Sequence, residues 1–258
     1  SIDDSNSDIS LANYNGFGGS TVLYSGHFPR LHPSDFRVKT LDNIADDWPI
    51  KYEELIPYFK INEKNMKISG LIGDTANPNY DKLNSPLPLG EIGLKIAGAF
   101  NEKNWHWWPS YSAINKNSNL AIGVDETYWP IAISNGVKIL LERQVCRISV
   151  NKNGNVDGVI YVDKSGLERK YNSSIVIVAC SGIGTPRLLL NSKSKYYPNG
   201  LLNENGFVGK NLMLHPLGFV EGFFENAKDY HHGPHGSCIL SQEFYETDES
   251  RGFKRGFT

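Results

Sequence analysis

Residues 174–190 read Ser174-Ile175-Val176-Ile177-Val178-Ala179-Cys180-Ser181-Gly182-Ile183-Gly184-Thr185-Pro186-Arg187-Leu188-Leu189-Leu190. The run from Ser174 to Ala179 is continuously apolar and rich in β-branched residues. That pattern suits a parallel strand buried on both faces. A helix follows, with Thr185 as its cap and Pro186 at its first position. Between them stand four small residues, Ala179, Cys180, Ser181 and Gly182. They fall at the C-terminal end of the strand, where open α/β sheets bind ligands. The same stretch also reads as a generic βα connection, and the fold class it implies is α/β either way.

Moving outward, the chain before this stretch reads as strands. Val137 to Leu141 is one, and Gln144 to Val150 alternates as a second. Asn153-Gly154 is a turn signal, Val156 to Val162 a third strand, Ser165-Gly166 another turn and Glu168 to Tyr171 a fourth strand. After His215-Pro216, residues 217–224 (LGFVEGFF) read as a new strand. The first half is more helical. Lys51 to Phe59 predicts a helix with an acidic start, an apolar face of Leu55, Ile56, Tyr58 and Phe59, and Pro57 near its beginning. Residues 91–103 repeat Ile92, Ile96, Ala99 and Phe100 at helical spacing. Residues 124–134 read as a short helix, with Pro130 counting against it. Residues 69–90 read as a connector, and the polar, Asn-rich residues 110–123 as loop. The whole is an α/β chain with an α+β mixture of antiparallel hairpins.

Composition narrows the class. The 258 residues amount to one large domain or two small ones at roughly 100–200 residues each. Hydrophobic residues make up 40% and charged residues 21%, which excludes wholesale disorder. A net charge of −2 and the lack of a long basic run give no footing for nucleic acid. No apolar run approaches the ~18–20 residues of a membrane helix. The polar start carries no secretory signal, so the expected protein is soluble, cytoplasmic or periplasmic. Both ends read as cut.

Several motifs each carry two readings. Gly16-Phe17-Gly18-Gly19-Ser20-Thr21 offers backbone N–H groups and hydroxyls to phosphate oxygens, or is an ordinary glycine turn. Its spacing is not that of the dinucleotide fingerprint, and no strand precedes it. His231-His232-Gly233-Pro234-His235 places three imidazoles together, but Gly-Pro breaks a ligating helix, so a solvated loop is the better reading and no metal is expected. Trp105-His106-Trp107-Trp108-Pro109 either stacks on a ligand or buries apolar surface, with burial favoured. Cys146, Cys180 and Cys238 lack CxxC spacing and read as small buried hydrophobes. No Ser-His-Asp order or G-x-S-x-G elbow supports a hydrolase.

In order and spacing these segments resemble the glucose–methanol–choline (GMC) family of FAD-dependent oxidoreductases over about residues 15–220. The resemblance rests on Gly18-Gly19-Ser20-Thr21 with Gly26 and Arg30, and on Asp47-Trp48-Pro49-Ile50 before the Tyr52 to Phe59 helix. It rests also on the Trp105 to Pro109 run, on Ser181 to Ser192, and on Gly206-x-Val208-Gly209-Lys210-Asn211-Leu212-Met213-x-His215-Pro216. The branch it is most similar to is the bacterial sugar/gluconate dehydrogenases. The resemblance implies FAD as cofactor. Gly18, Gly19, Ser20 and Thr21 would line the diphosphate and ribityl chain. Val145 would touch the adenine side through its backbone, and Ala179, Cys180, Ser181 and Gly182 would close over the adenosine half. The strand after Pro216 would open the substrate-domain sheet.

The implied organisation is a glycine-loop segment over 1–30, a lid and substrate-domain insertion over 31–135, continuation of the FAD-binding domain over 136–215 and the start of the substrate-domain sheet over 216–258. The implied reaction is hydride transfer from a CH–OH group of a sugar, polyol or other alcohol to flavin. Oxygen, quinone or a cytochrome subunit would take the electrons. No catalytic residue is named here, because the family's histidine is expected beyond the C-terminus, and the chain alone is expected to be inactive. At the positions where relatives carry Asn or a flavin-linking His stand Leu23 and Tyr24, so no covalent link is expected there. Two alternatives remain beside this reading: a non-catalytic binding module on the same fold, and a lyase that keeps FAD without redox turnover.

Overall fold

The computed structural model describes Ser5 and residues 13–214, 218–226 and 239–255. In chain order the helices are α1 (Val38–Asp42), α2 (Tyr52–Asn65), α3 (Gly90–Glu102), α4 (Tyr128–Ser134) and α5 (Ser181–Asn191). The strands are β1 (Trp108–Pro109), β2 (Gln144–Val150), β3 (Val156–Val162), β4 (Glu168–Asn172) and β5 (Ile239–Leu240). The chain divides into two compact units, Ser1–Val137 with Gly222–Thr258, and Lys138–Glu221.

The core of the first unit collects Met66, Ile68, Tyr80, Tyr111, Ala113, Ile122 and Leu240. Tyr111 and Ala113 are fully buried, and Tyr111 stacks on Tyr80 with ring centroids 4.3 Å apart. The segment 110–123, read from sequence as loop, therefore supplies much of this core. Its backbone is paired through isolated bridges, Ser112 with both His27 and Ser69, and Ile114 with Ala121. Bridges of one residue leave no period-2 pattern to read. β1 pairs antiparallel with β5, Trp108 opposite Leu240. The tryptophans mostly serve packing, as expected: Trp105 meets Phe100 and Phe244 edge-on, and Trp108 Nε1 donates to the Leu71 carbonyl at 2.7 Å.

The α2 helix outruns its predicted end and continues through Pro57 to Asn65. Lys51 precedes it, and the Glu54 carboxylate accepts the Lys51 N–H at 2.8 Å, closing the first turn. The buried side chains of α2 are Tyr52 and Glu63, while Tyr58, expected on the apolar face, is exposed.

In the second unit β2, β3 and β4 form an antiparallel meander. Arg147 faces Ile160, Ile148 faces Val159 and Gly158 faces Asn172, with register shifts in β2 beside Val145 and Val150. Gly158 is required: at φ 149° a Cβ there would stand 2.1 Å from the Tyr171 carbonyl oxygen. Its small core is Ile148, Leu188 and Leu201, joined by Val176, Val178 and Leu189. The helix α5 lies against this sheet, and Ser192 Oγ, which donates to Leu188 O at 2.6 Å, accepts the Ile148 N–H at 2.8 Å.

Four expectations fail here. Residues 174–179 pair with no strand among the described residues. Val176 and Val178 pack inward, whereas Ile175 and Ile177 are 77% and 88% exposed. Residues 137–141 and 218–224 likewise form no strand, and residues 215–217 lie outside the described set. A β-branched run becomes a strand only when a neighbour accepts its backbone bonds. Finally, α5 begins at Ser181 rather than Thr185, so Pro186 lies inside it and Thr185 does not cap it in the expected way. Instead Thr185 Oγ1 accepts the Cys180 N–H at 3.3 Å. Among the described residues no helix is long and apolar enough to cross a membrane.

Candidate functional site

The glycine loop belongs to the first unit. Gly18 (φ 88°) and Gly19 (φ 60°) are both left-handed, and residues 19–22 form one turn of 3-10 helix. The two glycines differ in purpose. A Cβ on Gly18 would strike Val22 and Asp125 at 2.7 and 2.9 Å, whereas the space around Gly19 is open. Gly19 is thus where a ligand can reach the backbone.

The hydroxyls of this loop are engaged internally. Thr21 Oγ1 donates to Gly18 O at 2.7 Å and accepts the Val124 N–H at 3.1 Å. Ser20 Oγ donates to Asn13 Oδ1 at 2.9 Å. The Gly19 N–H is engaged as well, donating to Gly16 O at 3.0 Å. Leu23 is exposed. Tyr24 turns inward, donates to Ile122 O at 2.7 Å, and burial pushes its phenol up to about 12.

Val145, Ala179, Cys180, Ser181 and Gly182 belong to the second unit. Val145 is on β2 opposite Tyr161 and is half exposed. Ala179 to Gly182 form the entry to α5, where the backbone turns through φ 65° at Ser181. A non-glycine residue in that conformation costs about 1–3 kcal/mol and is retained where the surroundings demand it. Gly182 has open space about it, and the first-turn N–H groups of an eleven-residue helix lack intrahelical acceptors. That end favours an anionic or strongly accepting group. Cys180 is exposed and Cys146 half buried in β2, so the expectation of buried thiols fails for Cys180. Cys238 and His231, His232 and His235 lie outside the described residues, among which no group of His, Cys, Asp and Glu is set to hold a metal.

Two polar clusters in the first unit escaped the sequence reading. In one, the buried Arg30 guanidinium meets Glu63, Tyr52 and the Asn79 carbonyl. In the other, Asp74 accepts from Ala76 N–H at 2.9 Å and Asn77 Nδ2 at 2.6 Å, and His106 Nε2 stands 2.9 Å from its Oδ1. The Gln242 N–H donates to His106 Nδ1 at 2.9 Å. With both ring nitrogens occupied, His106 has no free nitrogen lone pair to offer a substrate, and its pairing with Asp74 is a clasp. Residues 74, 106 and 242 are far apart in sequence, so no local pattern announces them.

The comparisons with known proteins bear on these segments together. The GMC oxidoreductase family matches residues 5–217. The chain is 39% identical over 94% of its length to 2-methyl-1,2-propanediol dehydrogenase of Mycolicibacterium austroafricanum, covering 48% of that protein. It is 24% identical over 78% of its length to the fructose dehydrogenase large subunit of Gluconobacter japonicus, covering 41% of it. Among solved structures, an FAD-dependent oxidoreductase from Chaetomium thermophilum superposes with a TM-score of 0.50 at 16% identity, over 67% of this chain and 34% of the other. That likeness concerns the fold alone. The chain spans about half the length of the curated relatives it matches. With a family match across most of its length and a relative this similar over nearly all of it, the chain belongs to the GMC oxidoreductases.

Proposed function

We propose that this chain is part of an FAD-dependent oxidoreductase acting on the CH–OH group of a small alcohol, polyol or sugar. The observation that carries the reading is the 39% identity to a diol dehydrogenase across 94% of the chain. Its local geometry fits a dinucleotide in two places. The open backbone at Gly19 and the open entry to α5 at Gly182 each suit an electron-rich group. Bound FAD would supply the hydride acceptor.

In this reading Gly18 to Thr21 line the cofactor with their backbone at the open side of Gly19, since Ser20 and Thr21 already engage their hydroxyls within the loop. Val145 and Ala179 to Gly182 serve the adenosine half. The division into a glycine-loop segment (1–30), a lid and substrate insertion (31–135), a second cofactor-binding stretch (136–215) and a substrate-domain opening (216–258) belongs to the same proposal. So does a separate electron acceptor, the feature suggested by a relative that is named as the large subunit of a dehydrogenase.

The test is made on the full-length protein containing this chain. Purified protein is expected to carry flavin, and anaerobic addition of short diols, polyols or sugars to bleach it. Protein that neither retains nor binds FAD, or flavin that no alcohol or sugar reduces, overturns the proposal.

A further inference from the structure

The chain holds 25 asparagines, and five of them precede glycine: Asn15, Asn135, Asn153, Asn199 and Asn205. Such a pair is chemically labile because glycine has no Cβ to hinder attack by its own amide nitrogen on the asparagine side chain. The attack needs that nitrogen to lose its proton and swing toward Cγ. An N–H held in a turn must first be released by local opening.

Four of the five glycines are held. The N–H of Gly136 donates to Ile133 O at 2.9 Å, Gly154 to Asn151 O at 3.0 Å, Gly200 to Tyr197 O at 3.2 Å and Gly206 to Asn203 O at 3.2 Å. Two of the asparagine side chains are held as well. Asn135 Nδ2 donates to Ile131 O at 2.8 Å, and Asn205 Oδ1 accepts the Phe207 N–H at 3.2 Å. The fifth pair differs. Asn15 and Gly16 are both exposed, and among the described residues neither the Asn15 side chain nor the Gly16 N–H has a hydrogen-bond partner. Among the described residues Gly16 bonds through its carbonyl, which accepts from Gly19 N–H at 3.0 Å, and not through its nitrogen.

We propose that Asn15 is a self-modification site, deamidating ahead of every other Asn-Gly pair in the folded chain. Solvent base takes the Gly16 N–H proton, and the nitrogen forms a bond to Asn15 Cγ. The Cγ–Nδ2 bond breaks and the amide nitrogen departs as ammonia, leaving a five-membered succinimide. Water then opens either carbonyl of the ring, giving aspartate or isoaspartate. No oxidant or reductant is involved. The product carries a new carboxylate three residues before Gly18, and in the isoaspartate form an extra backbone carbon in the approach to the glycine loop.

The experiment is peptide mapping by mass spectrometry of this chain, incubated in mildly alkaline buffer with and without concentrated urea. Without urea, Asn15 is expected to convert roughly tenfold or more faster than the other four, whose amides react only from opened states. In urea the five pairs are expected to converge. The proposal is overturned if any of Asn135, Asn153, Asn199 or Asn205 converts as fast as Asn15 in the folded chain. It is equally overturned if Asn15 stays an amide there while converting in urea. Neither readout depends on flavin, so failure here is separate from failure of the oxidoreductase reading.

Discussion

Arg30 and Glu63 meet through two parallel hydrogen bonds, Nε to Oε1 at 2.5 Å and Nη2 to Oε2 at 2.8 Å, with side chains only 3% and 6% exposed. Burial opposes the charge on Arg30, but the hydrogen bonds to Glu63 and Tyr52 and the Glu63 charge outweigh it, and the guanidinium is held above its usual value. Tyr80 and Phe59 lie beside the guanidinium at 4.6 and 5.5 Å. The pair ties the segment after the glycine loop to α2.

Removing one partner leaves the other charge buried and unpaired, which costs about 3–5 kcal/mol. Glu63→Gln and Arg30→Met are each expected to lower stability in urea titrations by that order. The double variant Arg30→Met, Glu63→Leu is expected to lose less than either single change, because no orphaned charge remains. Additive losses would contradict the pairing.

Acid is expected to release the segment 239–255. Thr247 Oγ1 and Arg255 Nε each donate to Asp42 at 2.6 Å, Thr247 first in effect, and hold its carboxyl below the usual carboxylate range. The His106 N–H, and then Arg251, do the same for Glu243. A carboxyl depressed in the folded state contributes stability that is present above its unfolded value, about 4. The contribution is lost as pH falls through the lower folded value. Protection of residues 239–255 from hydrogen exchange, taken relative to the free-peptide rate at each pH, should therefore be flat from neutral pH down to about 5 and fall below about 4. Asp42→Asn should loosen the segment already at neutral pH.

How much of this was legible depended on whether a contact was local. β2 to β4 could be read because their turns, Asn153-Gly154 and Ser165-Gly166, sit between alternating runs that pair with their chain neighbours. Helix α3 could be read from its spacing, while α4 was read only as a short helix and begins four residues later, at Tyr128. Residues 174–179 misled because apolarity reports what a strand wants to cover, not whether a neighbour is present to pair with it. Tyr111, Ala113 and Ile122 were hidden inside an Asn-rich stretch, since their partners, Met66 and Ile68, Tyr80, and Leu240, come from three distant places. For the candidate site, the glycines and the small residues at the α5 entry stood out as local motifs, and their assignment to a cofactor came from the family resemblance. That Ser20 and Thr21 turn their hydroxyls inward toward Asn13 and Gly18 was not legible, because side-chain direction is a tertiary property.

The two faces of residues 174–179 give an opposed pair of mutational outcomes. Ile177 is 88% exposed, so Ile177→Lys is expected to shift the stability of this chain by no more than about 0.5 kcal/mol. Leu188, buried in the core that Val176 and Val178 line, is expected to cost about 2–5 kcal/mol on change to alanine. Urea titrations of both variants check this, and a large loss for Ile177→Lys would mean that the run is covered after all.

Gly18 and Gly19 separate a structural role from a binding one. Gly18→Ala places a methyl against Val22 and Asp125 at a left-handed φ, so it is expected to cost about 1–3 kcal/mol and to lower stability and flavin content together. Gly19→Ala meets nothing within 4 Å and suffers only the left-handed backbone, about 1–2 kcal/mol. On the proposed reading its methyl would stand in the space that a phosphate of the cofactor would occupy. In the full-length protein Gly19→Ala should therefore lose flavin out of proportion to its fall in melting temperature. Flavin absorbance per polypeptide, set beside thermal unfolding, distinguishes the two. If Gly19→Ala keeps a full complement of flavin, the open face of the loop is not where the cofactor lies, and the glycine pair is there for the turn alone.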